Sequence, residues 1–316
     1  MDKIDSIEIF KYIIPFIKPL LVFSNKLLRR EGFIIKVNYY DKSSRYAEIA
    51  PLSNISRESL KDAYRQLINV CELLKKNKKI EVDMLYPSVL FGMLSISNFQ
   101  NESFSIPYSG LLYYGFDENK FIPTLNTYKL KLSTLSVDES ILSIKQLKHK
   151  FPKLKLRLDI NQSWSSQEAF HFLANFEPND FEYIEEPCKT IEETKEVLKK
   201  TNHKIALDES LVNWELEELL KYKNIKALII KPMLANFFKY LKCRIPLVFS
   251  SSFESGVGLL NIARLSGLYS KIPPGLDTYK FLKFDVLKKP VQLGNEMKFF
   301  LPINLNKAVL ELCHCV

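Results

Sequence analysis

The sequence predicts an α/β protein in which a (β/α) barrel follows a smaller α+β domain. From about residue 105, short apolar segments alternate with amphipathic helices, which is the pattern of βαβ units around a parallel sheet. No glycine-rich phosphate loop follows any predicted strand, and only 9 of the 316 residues are glycine, which argues against a nucleotide-binding, doubly wound sheet. A closed barrel is the natural arrangement for this many consecutive units.

The first 100 residues are predicted to form an α+β domain of their own. Alternating or apolar segments predict an antiparallel sheet of three strands, at 7–14, 33–40 and 46–49. A first helix is expected after Ser56, which is placed to cap it. Apolar residues at Leu60, Tyr64 and Leu67 then recur at helical spacing. A second helix is expected from Pro87, because proline is favoured in the first turn of a helix.

Residues 101–290 are predicted to form the barrel, and residues 291–316 to return to the first domain. The predicted strands are 128–132, 154–159, 181–185, 204–208, 225–231 and 245–250. Helical segments fall between most of them, for example "SVDESILSIKQLKHK" and "TIEETKEVLKK". The carboxyl ends of all barrel strands open on one face, so residues that end different strands can meet there.

Five consecutive predicted strands each end on a charged residue, and these charges lie 23 to 28 residues apart, which is one βα unit each time. They are Lys131, Asp159, Glu185, Asp208 and Lys231. Neighbouring side chains along a strand point to opposite faces. Because the intervening leucines and isoleucines should face the outer helices, all five charges are predicted to lie inside the barrel. The same alternation places Lys129 and Arg157 inside and turns Glu186 away at the rim.

The five charges predict a metal site with proton-transfer chemistry. Three inward carboxylates on adjacent strands repel one another unless a cation lies between them, and an all-oxygen set suits Mg²⁺. Asp159, Glu185 and Asp208 are therefore candidate metal ligands. Lysines on both sides could take a proton from carbon, and we expect the metal and the neighbouring lysines to depress a lysine pKa toward neutral pH. The predicted reaction is proton removal next to a carboxylate, with the metal stabilising the enediolate.

A set of motifs spread over nearly the whole chain resembles a known family. In chain order they read "EIAPLSNISRES", "PSVLFG", "YKLKL", "LRLDIN", "IEEPCKT", "ALDES", "IIKP", "FSSSFESGVGL" and "PPGLDT". With these motifs in this order the sequence is similar to the enolase superfamily, whose lysine bases act beside Mg²⁺, and within it to the o-succinylbenzoate synthase family. The resemblance implies a modified (β/α)7β TIM-type barrel with an N-terminal α+β capping domain.

The resemblance also implies a role for each matched position. Lys131, the second lysine of "KLK", would remove the α-proton and return it to the leaving hydroxyl in a syn dehydration. Lys231 would stabilise the enediolate from the opposite face, and the segment 22–32 would form a mobile cap loop. Asp159, Glu185 and Asp208 would bind Mg²⁺, with Mn²⁺ as the alternative. The further positions implied to contact or support the substrate are Lys129, Arg157, Asn161, Ser250, Ser251, Ser252 and Gly256.

The implied activity is that of a carbon-oxygen lyase. The reaction would be dehydration of 2-succinyl-6-hydroxy-2,4-cyclohexadiene-1-carboxylate to 2-succinylbenzoate in menaquinone biosynthesis. The alternative is an N-succinylamino acid racemase or another epimerase of the superfamily, because two opposed lysines can move a proton across both faces of an α-carbon. Dipeptide epimerases usually carry an Asp-x-Asp after the last strand, whereas this chain has Asp277 alone in "PGLDTYKF", which disfavours them.

Composition and charge limit the expected partners. The net charge of +9 is spread along the chain and forms no basic stripe, so we expect a small anionic carboxylate substrate and no nucleic acid. The longest apolar run, from Ile7, is interrupted by Lys11, Pro15 and Lys18, and the first residues lack the features of a signal peptide. A cytoplasmic monomer without membrane association is expected. Five scattered cysteines predict no disulfide framework.

Overall fold

The computed structural model describes residues 3–22, 25–97, 102–112 and 125–316. It contains a four-stranded antiparallel sheet, a seven-stranded parallel sheet and a two-stranded antiparallel sheet. The predicted combination of an antiparallel capping domain and a parallel α/β domain is confirmed. Among the helices in these ranges, none is both long and apolar enough to cross a membrane.

The capping domain is a four-stranded sheet covered by two helices. Its elements are β1 (Ile4–Val22), β2 (Asn25–Tyr39), β3 (Ser44–Ile49), α1 (Leu60–Lys75) and α2 (Pro87–Ser97), completed by the last strand of the chain, β13 (Leu310–Cys315). The strand order is β13-β1-β2-β3, with all neighbours antiparallel. Alternate residues of β1 and β2, such as Ile7, Ile9 and Ile35, are fully buried in one cluster with Leu67 and Val70 of α1. The apolar face of the strands, which repeats every two residues, thus packs against the apolar face of the helix, which repeats every 3.6 residues.

The start of α1 differs from the prediction. Ser59 is the N-cap, and its hydroxyl accepts a hydrogen bond from the backbone N–H of Asp62 at 3.1 Å. Ser56 instead accepts from the backbone N–H of Leu52 at 2.7 Å and closes the preceding turn. Both serines satisfy a nearby backbone donor, which is why the cap could not be assigned from residue type alone.

The parallel sheet is built from seven consecutive strands. Its elements in chain order are β5 (Gly110–Leu112), β6 (Thr127–Lys131), α3 (Val137–Lys150), β7 (Lys155–Asp159), α4 (Ser166–Leu173), β8 (Tyr183–Glu185), α5 (Ile191–Lys200), β9 (Ile205–Leu207), α6 (Leu216–Leu219), β10 (Ile225–Ile230), β11 (Leu247–Phe249) and α7 (Gly256–Tyr269). Outside this sheet, β4 (Phe104–Ile106) pairs with β12 (Met297–Phe299). The strand order follows the chain order from β5 to β11, so each helix from α3 to α6 connects neighbouring strands, and α7 follows the last of them.

The segment 273–275 closes the sheet into a barrel. On one side the backbone N–H of Gly275 donates to the carbonyl of Phe249 in β11 at 2.9 Å. On the other side the backbone N–H of Ser109, just before β5, donates to the carbonyl of Pro274 at 3.0 Å. The first and last strands are therefore joined through one short extended segment, and the carboxyl ends of all seven strands surround a common mouth.

The two faces of the barrel strands separate as predicted. Leu158, Ile184 and Leu228 belong to the large cluster that includes residues of the surrounding helices. Tyr183 and Ile229, which alternate with them, form a separate small cluster inside the barrel. The predicted alternation of inward and outward side chains in β7, β8 and β10 is confirmed. This alternation directs the residues that end these strands toward the interior.

Candidate active site

A cavity of about 360 Å³ lies at the mouth of the barrel, below the capping domain. From the capping domain it is lined by Leu21, Val22, Leu52 and Ile55. The residues predicted for the site that line it are Lys129, Lys131, Asp159, Asn161, Lys231, Ser250, Ser251 and Ser252. Side chains that are far apart in sequence therefore converge on one space that both domains enclose.

Lys129 bridges two of the predicted metal ligands. Its ammonium lies 2.9 Å from Oδ2 of Asp159 and 2.6 Å from Oε1 of Glu185. The parallel register pairs Asp159 directly with Glu185, and it pairs Lys131 with Asp159. Lys131 lies 3.2 Å from the same Oδ2 of Asp159. Register thus places Lys131, Asp159 and Glu185 side by side at the ends of β6, β7 and β8, and the ammonium of Lys129, two residues before Lys131, reaches both acids.

The third carboxylate faces the lysine of the opposite wall. Asp208 follows β9, and its Oδ2 forms an ion pair with Lys231, which follows β10. Oε1 of Glu209 lies 3.7 Å from the same ammonium. Lys131 and Lys231 thereby lie on opposite sides of the carboxylate group, as proton transfer on two faces of a substrate requires.

Asn161 connects the two walls. Its Oδ1 accepts a hydrogen bond from Lys131 at 3.0 Å, and its Nδ2 donates to Oε1 of Glu209 at 3.4 Å. The backbone at Asn161 has a positive φ of 48°, a conformation that asparagine tolerates better than most residues. Asn161 and Glu209 thus link Lys131 to Lys231 through two hydrogen bonds and an ion pair.

The pKa values of Lys129, Lys231 and Glu209 all lie above their ordinary values. Burial disfavours the ammonium of Lys129, but the carboxylates of Asp159 and Glu185 outweigh it and hold its pKa well above the ordinary value. Burial likewise disfavours the ammonium of Lys231, but the carboxylate of Asp208 outweighs it and raises the pKa of Lys231. Burial and the neighbouring charge of Asp208 raise the pKa of Glu209 to about 7. The expected depression of a lysine pKa is therefore absent for Lys129 and Lys231, because each ammonium faces carboxylates more closely than it faces another lysine.

The carboxylates fit a hard divalent cation in the chemistry of their donor atoms. Asp159 and Glu185 are fully buried and Asp208 nearly so, and Oε2 of Glu185 has no hydrogen-bond partner among the described residues. Within those residues no three acidic, histidine or cysteine side chains surround one point as they would surround an ion. Lysine ammonium groups lie between the acids and supply the positive charge that an ion would supply. Asp159, Glu185 and Asp208 would hold a divalent ion, and their all-oxygen donors would suit it.

Arg157 and Gly256 lie away from the position that the sequence predicted. Arg157 is buried one layer below the cavity, where its Nε donates to Glu182 at 2.7 Å and its Nη1 donates to the carbonyl of Pro273 at 2.8 Å. Gly256 begins α7, and its N–H donates to Oδ1 of Asp285 at 2.9 Å. Neither residue belongs to the described cavity lining. Nε and Nη1 of Arg157 and the N–H of Gly256 are already engaged within the protein, which does not support substrate contact through them.

Glu186 faces away from the cavity but does not lie at an exposed rim. It is fully buried, with a φ of 44°. Its Oε1 accepts from the backbone N–H groups of Asp208 at 2.6 Å and Ser210 at 3.0 Å, and its Oε2 accepts from Gln162 at 3.0 Å. Glu186 therefore fixes the loop that carries Asp208, a role that strand alternation could not predict.

Several lining residues were not predicted from the sequence. Glu209 was overlooked because alternation turns the residue after Asp208 outward, whereas β9 ends at Leu207 and the chain continues as a 3-10 turn. Its adjacency to Asp208 in "LDES" was the available signal. The other unpredicted polar residues of the lining are Ser109, Ser133, Thr134, Asp277 and Thr278.

Known proteins share sequence and fold with this chain. Residues 4–100 match the family model described as MenC, N-terminal domain, and residues 120–235 match the one described as Enolase C-terminal domain-like. A curated relative from Vibrio cholerae, named o-succinylbenzoate synthase, is 32% identical over 298 residues, which cover 85% of this chain and 88% of the relative. The two family models together thus match the capping domain and much of the barrel.

Solved structures share the fold at lower identity. The o-succinylbenzoate synthase of Thermosynechococcus elongatus, solved with magnesium in its active site, is 20% identical with a TM-score of 0.68, covering 89% of this chain and 95% of that one. The L-Ala-D/L-Glu epimerase of Bacillus subtilis is 19% identical with a TM-score of 0.72, covering 96% and 98%. The sequence identity with the curated relative over most of both lengths decides the family: this chain belongs to the o-succinylbenzoate synthase family of the enolase superfamily.

Proposed function

We propose that the chain catalyses the syn dehydration of 2-succinyl-6-hydroxy-2,4-cyclohexadiene-1-carboxylate to 2-succinylbenzoate, a step of menaquinone biosynthesis. The observation that carries this proposal is that Lys131 and Lys231 line one cavity together with Asp159, Lys131 lying beside Asp159 and Lys231 pairing with Asp208. The names of the curated relatives support the same activity. The substrate is a small anionic carboxylate, which suits a cavity of this volume lined by three lysines.

Lys131 is proposed to move the proton. As the free amine it removes the proton from the carbon next to the substrate carboxylate, and this leaves an enediolate. As the ammonium it returns that proton to the hydroxyl that departs as water, so that one proton and one hydroxide leave and the ring becomes aromatic. The hydrogen bond to Asn161 at 3.0 Å keeps the lysine head at one position through both steps.

Lys231 is proposed to stabilise the negative charge from the opposite wall. Its ion pair with Asp208 and its proximity to Glu209 keep it protonated, which is the form that an electrostatic partner needs. Lys129 lies beside Lys131 and provides a second positive charge for the substrate carboxylate. Both residues act by charge and position and transfer no proton in this scheme.

Asp159, Glu185 and Asp208 are the residues that would hold a divalent ion, for which we propose Mg²⁺, with Mn²⁺ as a substitute. When bound, the ion would supply positive charge for the substrate carboxylate and so favour loss of the adjacent proton. The serines at 250–252 line the cavity beside Gly275 and Thr278 and are proposed to bind the succinyl group. Leu52 and Ile55 of the capping domain exclude water from the opposite side.

An absorbance assay for the aromatic product tests both the reaction and the metal requirement. We expect product formation with Mg²⁺, its loss after treatment with EDTA, and its recovery when Mg²⁺ is added back. Addition of Mn²⁺ to the same stripped protein measures the metal preference. Full activity after exhaustive chelation would contradict the metal site, whereas absence of product with Mg²⁺ and authentic substrate would contradict the proposed reaction.

Racemisation of N-succinylamino acids is the second candidate, because the two opposed lysines could serve it equally well. Asp277 stands alone where an epimerase of dipeptides would carry two acids, and its Oδ2 accepts from the backbone N–H of Leu111 at 2.8 Å and pairs with Lys280. Incubation with N-succinyl amino acids in D₂O separates the reactions. We expect slow or no α-deuteration beside rapid dehydration; rapid deuteration without dehydration would establish the racemase instead.

A further inference from the structure

Glu48 is a fully buried carboxylate at the boundary between the two domains. It lies on β3 of the capping domain, where its Oε1 accepts from the hydroxyl of Tyr12 at 2.5 Å. The same oxygen accepts from the backbone N–H of Ser255 at 3.1 Å, and Oε2 accepts from the backbone N–H of Gly258 at 2.9 Å and from the Ser255 hydroxyl. Three of these four donors belong to the barrel.

The barrel partner of Glu48 is the N-terminus of α7. The first N–H groups of a helix lack partners within the helix, and their combined dipole favours a negative charge. Glu48 takes the N–H groups of Ser255 and Gly258, while Asp285 takes that of Gly256. A Cβ atom on Gly258 would lie 2.7 Å from Oε2 of Glu48, so a glycine at this position allows the carboxylate to approach.

Both walls of the cavity continue directly from these contacts. On the capping side, Leu52 follows Glu48 by four residues, and Arg30 holds the connecting backbone through the carbonyls of Ala50 and Pro51. On the barrel side, the serines at 250–252 end three residues before Ser255. One carboxylate therefore joins the wall proposed to exclude water to the wall proposed to bind the succinyl group.

We infer that Glu48 is a positioning residue for the dehydration, an inference that rests on the proposed function. By holding the start of α7 against β3, it fixes the distance between the two walls and thus the fit of the part of the substrate that does not react. It contacts neither the lysines nor the candidate metal ligands in the described structure. Its loss should therefore weaken substrate binding and leave the chemical step largely intact.

The substitution Glu48→Gln tests this inference with little change of shape. The amide of glutamine would present N–H groups where backbone N–H donors need an acceptor, so at least one contact to α7 is lost. We expect KM to rise about tenfold while kcat stays within about twofold. In the protein without substrate, amide hydrogen exchange over residues 250–258 should become faster, a readout that does not depend on catalysis.

Glu58→Gln is the matched control. Glu58 is also a buried capping-domain carboxylate at a helix N-terminus, where it accepts from the N–H of Ser88 at 3.0 Å and from the Ser88 hydroxyl, but both partners lie within the capping domain. We expect it to lower stability without changing KM or exchange over residues 250–258. A KM increase in Glu58→Gln equal to that in Glu48→Gln would reduce the role of Glu48 to general stability and overturn the inference.

A milder variant, Ser255→Ala, decides the matter if Glu48→Gln does not fold. It removes the hydroxyl donor to Glu48, together with the N-cap acceptor for the backbone N–H of Val257, and keeps the backbone contacts to Glu48, so we expect a smaller KM increase, about threefold, and non-additivity when both substitutions are combined. Unchanged KM and unchanged exchange in Ser255→Ala would overturn the inference. If the unmodified protein has no dehydratase activity, the proposed function fails, whereas the exchange comparison still tests whether Glu48 holds residues 250–258.

Discussion

Lys131→Ala should lower the rate of dehydration by about 10³-fold or more, because it removes the group that both takes and returns the proton. The fold should survive the change. Lys131 lies 3.2 Å from Oδ2 of Asp159, but Lys129 lies nearer, at 2.9 Å, so the buried acid keeps a positive partner when Lys131 is lost. Steady-state measurement of product absorbance gives kcat and KM, and the decrease should appear in kcat.

Lys155→Ala provides the control for this substitution. Lys155 is an exposed lysine at the opposite end of a neighbouring strand, β7, and its loss removes the same charge from the same sheet. We expect unchanged kinetics. The stabilisation of the protein by Mg²⁺, measured as a rise in the thermal unfolding temperature, should persist in Lys131→Ala, since the proposed ligands are untouched. Unchanged dehydratase activity in Lys131→Ala would remove the proton-transfer scheme.

The barrel and its inward charges could be predicted because both depend on local rules. In β7 the residues Leu156, Arg157, Leu158 and Asp159 alternate between the helix layer and the interior, as the pleat requires. The parallel register then sets Lys131 beside Asp159 and Asp159 beside Glu185. Neither step requires knowledge of distant contacts, so the sequence pattern was sufficient.

The prediction failed where a strand ends or where a distant segment decides the contact. Glu186 has a positive φ and Glu209 lies in a 3-10 turn, so side-chain alternation no longer applies to either residue. Arg157 points inward as predicted, but its partner Pro273 is 116 residues away, and that contact keeps the guanidinium below the cavity. The alternation of side chains along a strand predicts only whether a side chain points into the barrel or out of it. The depth of that side chain along the barrel axis depends on tertiary contacts that the strand itself does not encode.

The two adjacent glutamates of "IEEP" should respond very differently to the same substitution. Glu185→Gln replaces a buried anionic donor by a neutral amide with one carbonyl oxygen, and it removes the negative charge that now pairs with Lys129 at 2.6 Å. Loss of residues that merely support metal ligands costs about 10–100-fold in metal affinity or activity, so loss of a ligand should cost at least about 100-fold. We expect Glu185→Gln to lose the metal-dependent activity and the thermal stabilisation by Mg²⁺ together.

Glu186→Gln is the matched control and should be mild. The glutamine keeps a carbonyl oxygen that can accept from the N–H groups of Asp208 and Ser210, as Oε1 of Glu186 does. Its amide nitrogen would face Gln162, whose own side-chain amide can turn to present an oxygen. We therefore expect activity within about tenfold of the unmodified protein and an intact response to Mg²⁺.

Equal losses in the two variants would show that Glu185 acts only by fixing the loop, as Glu186 does, and would remove it from the proposed metal ligands. A large difference would place the divalent ion on the inward face of β8, since the two residues share the same strand end, the same burial and the same substitution.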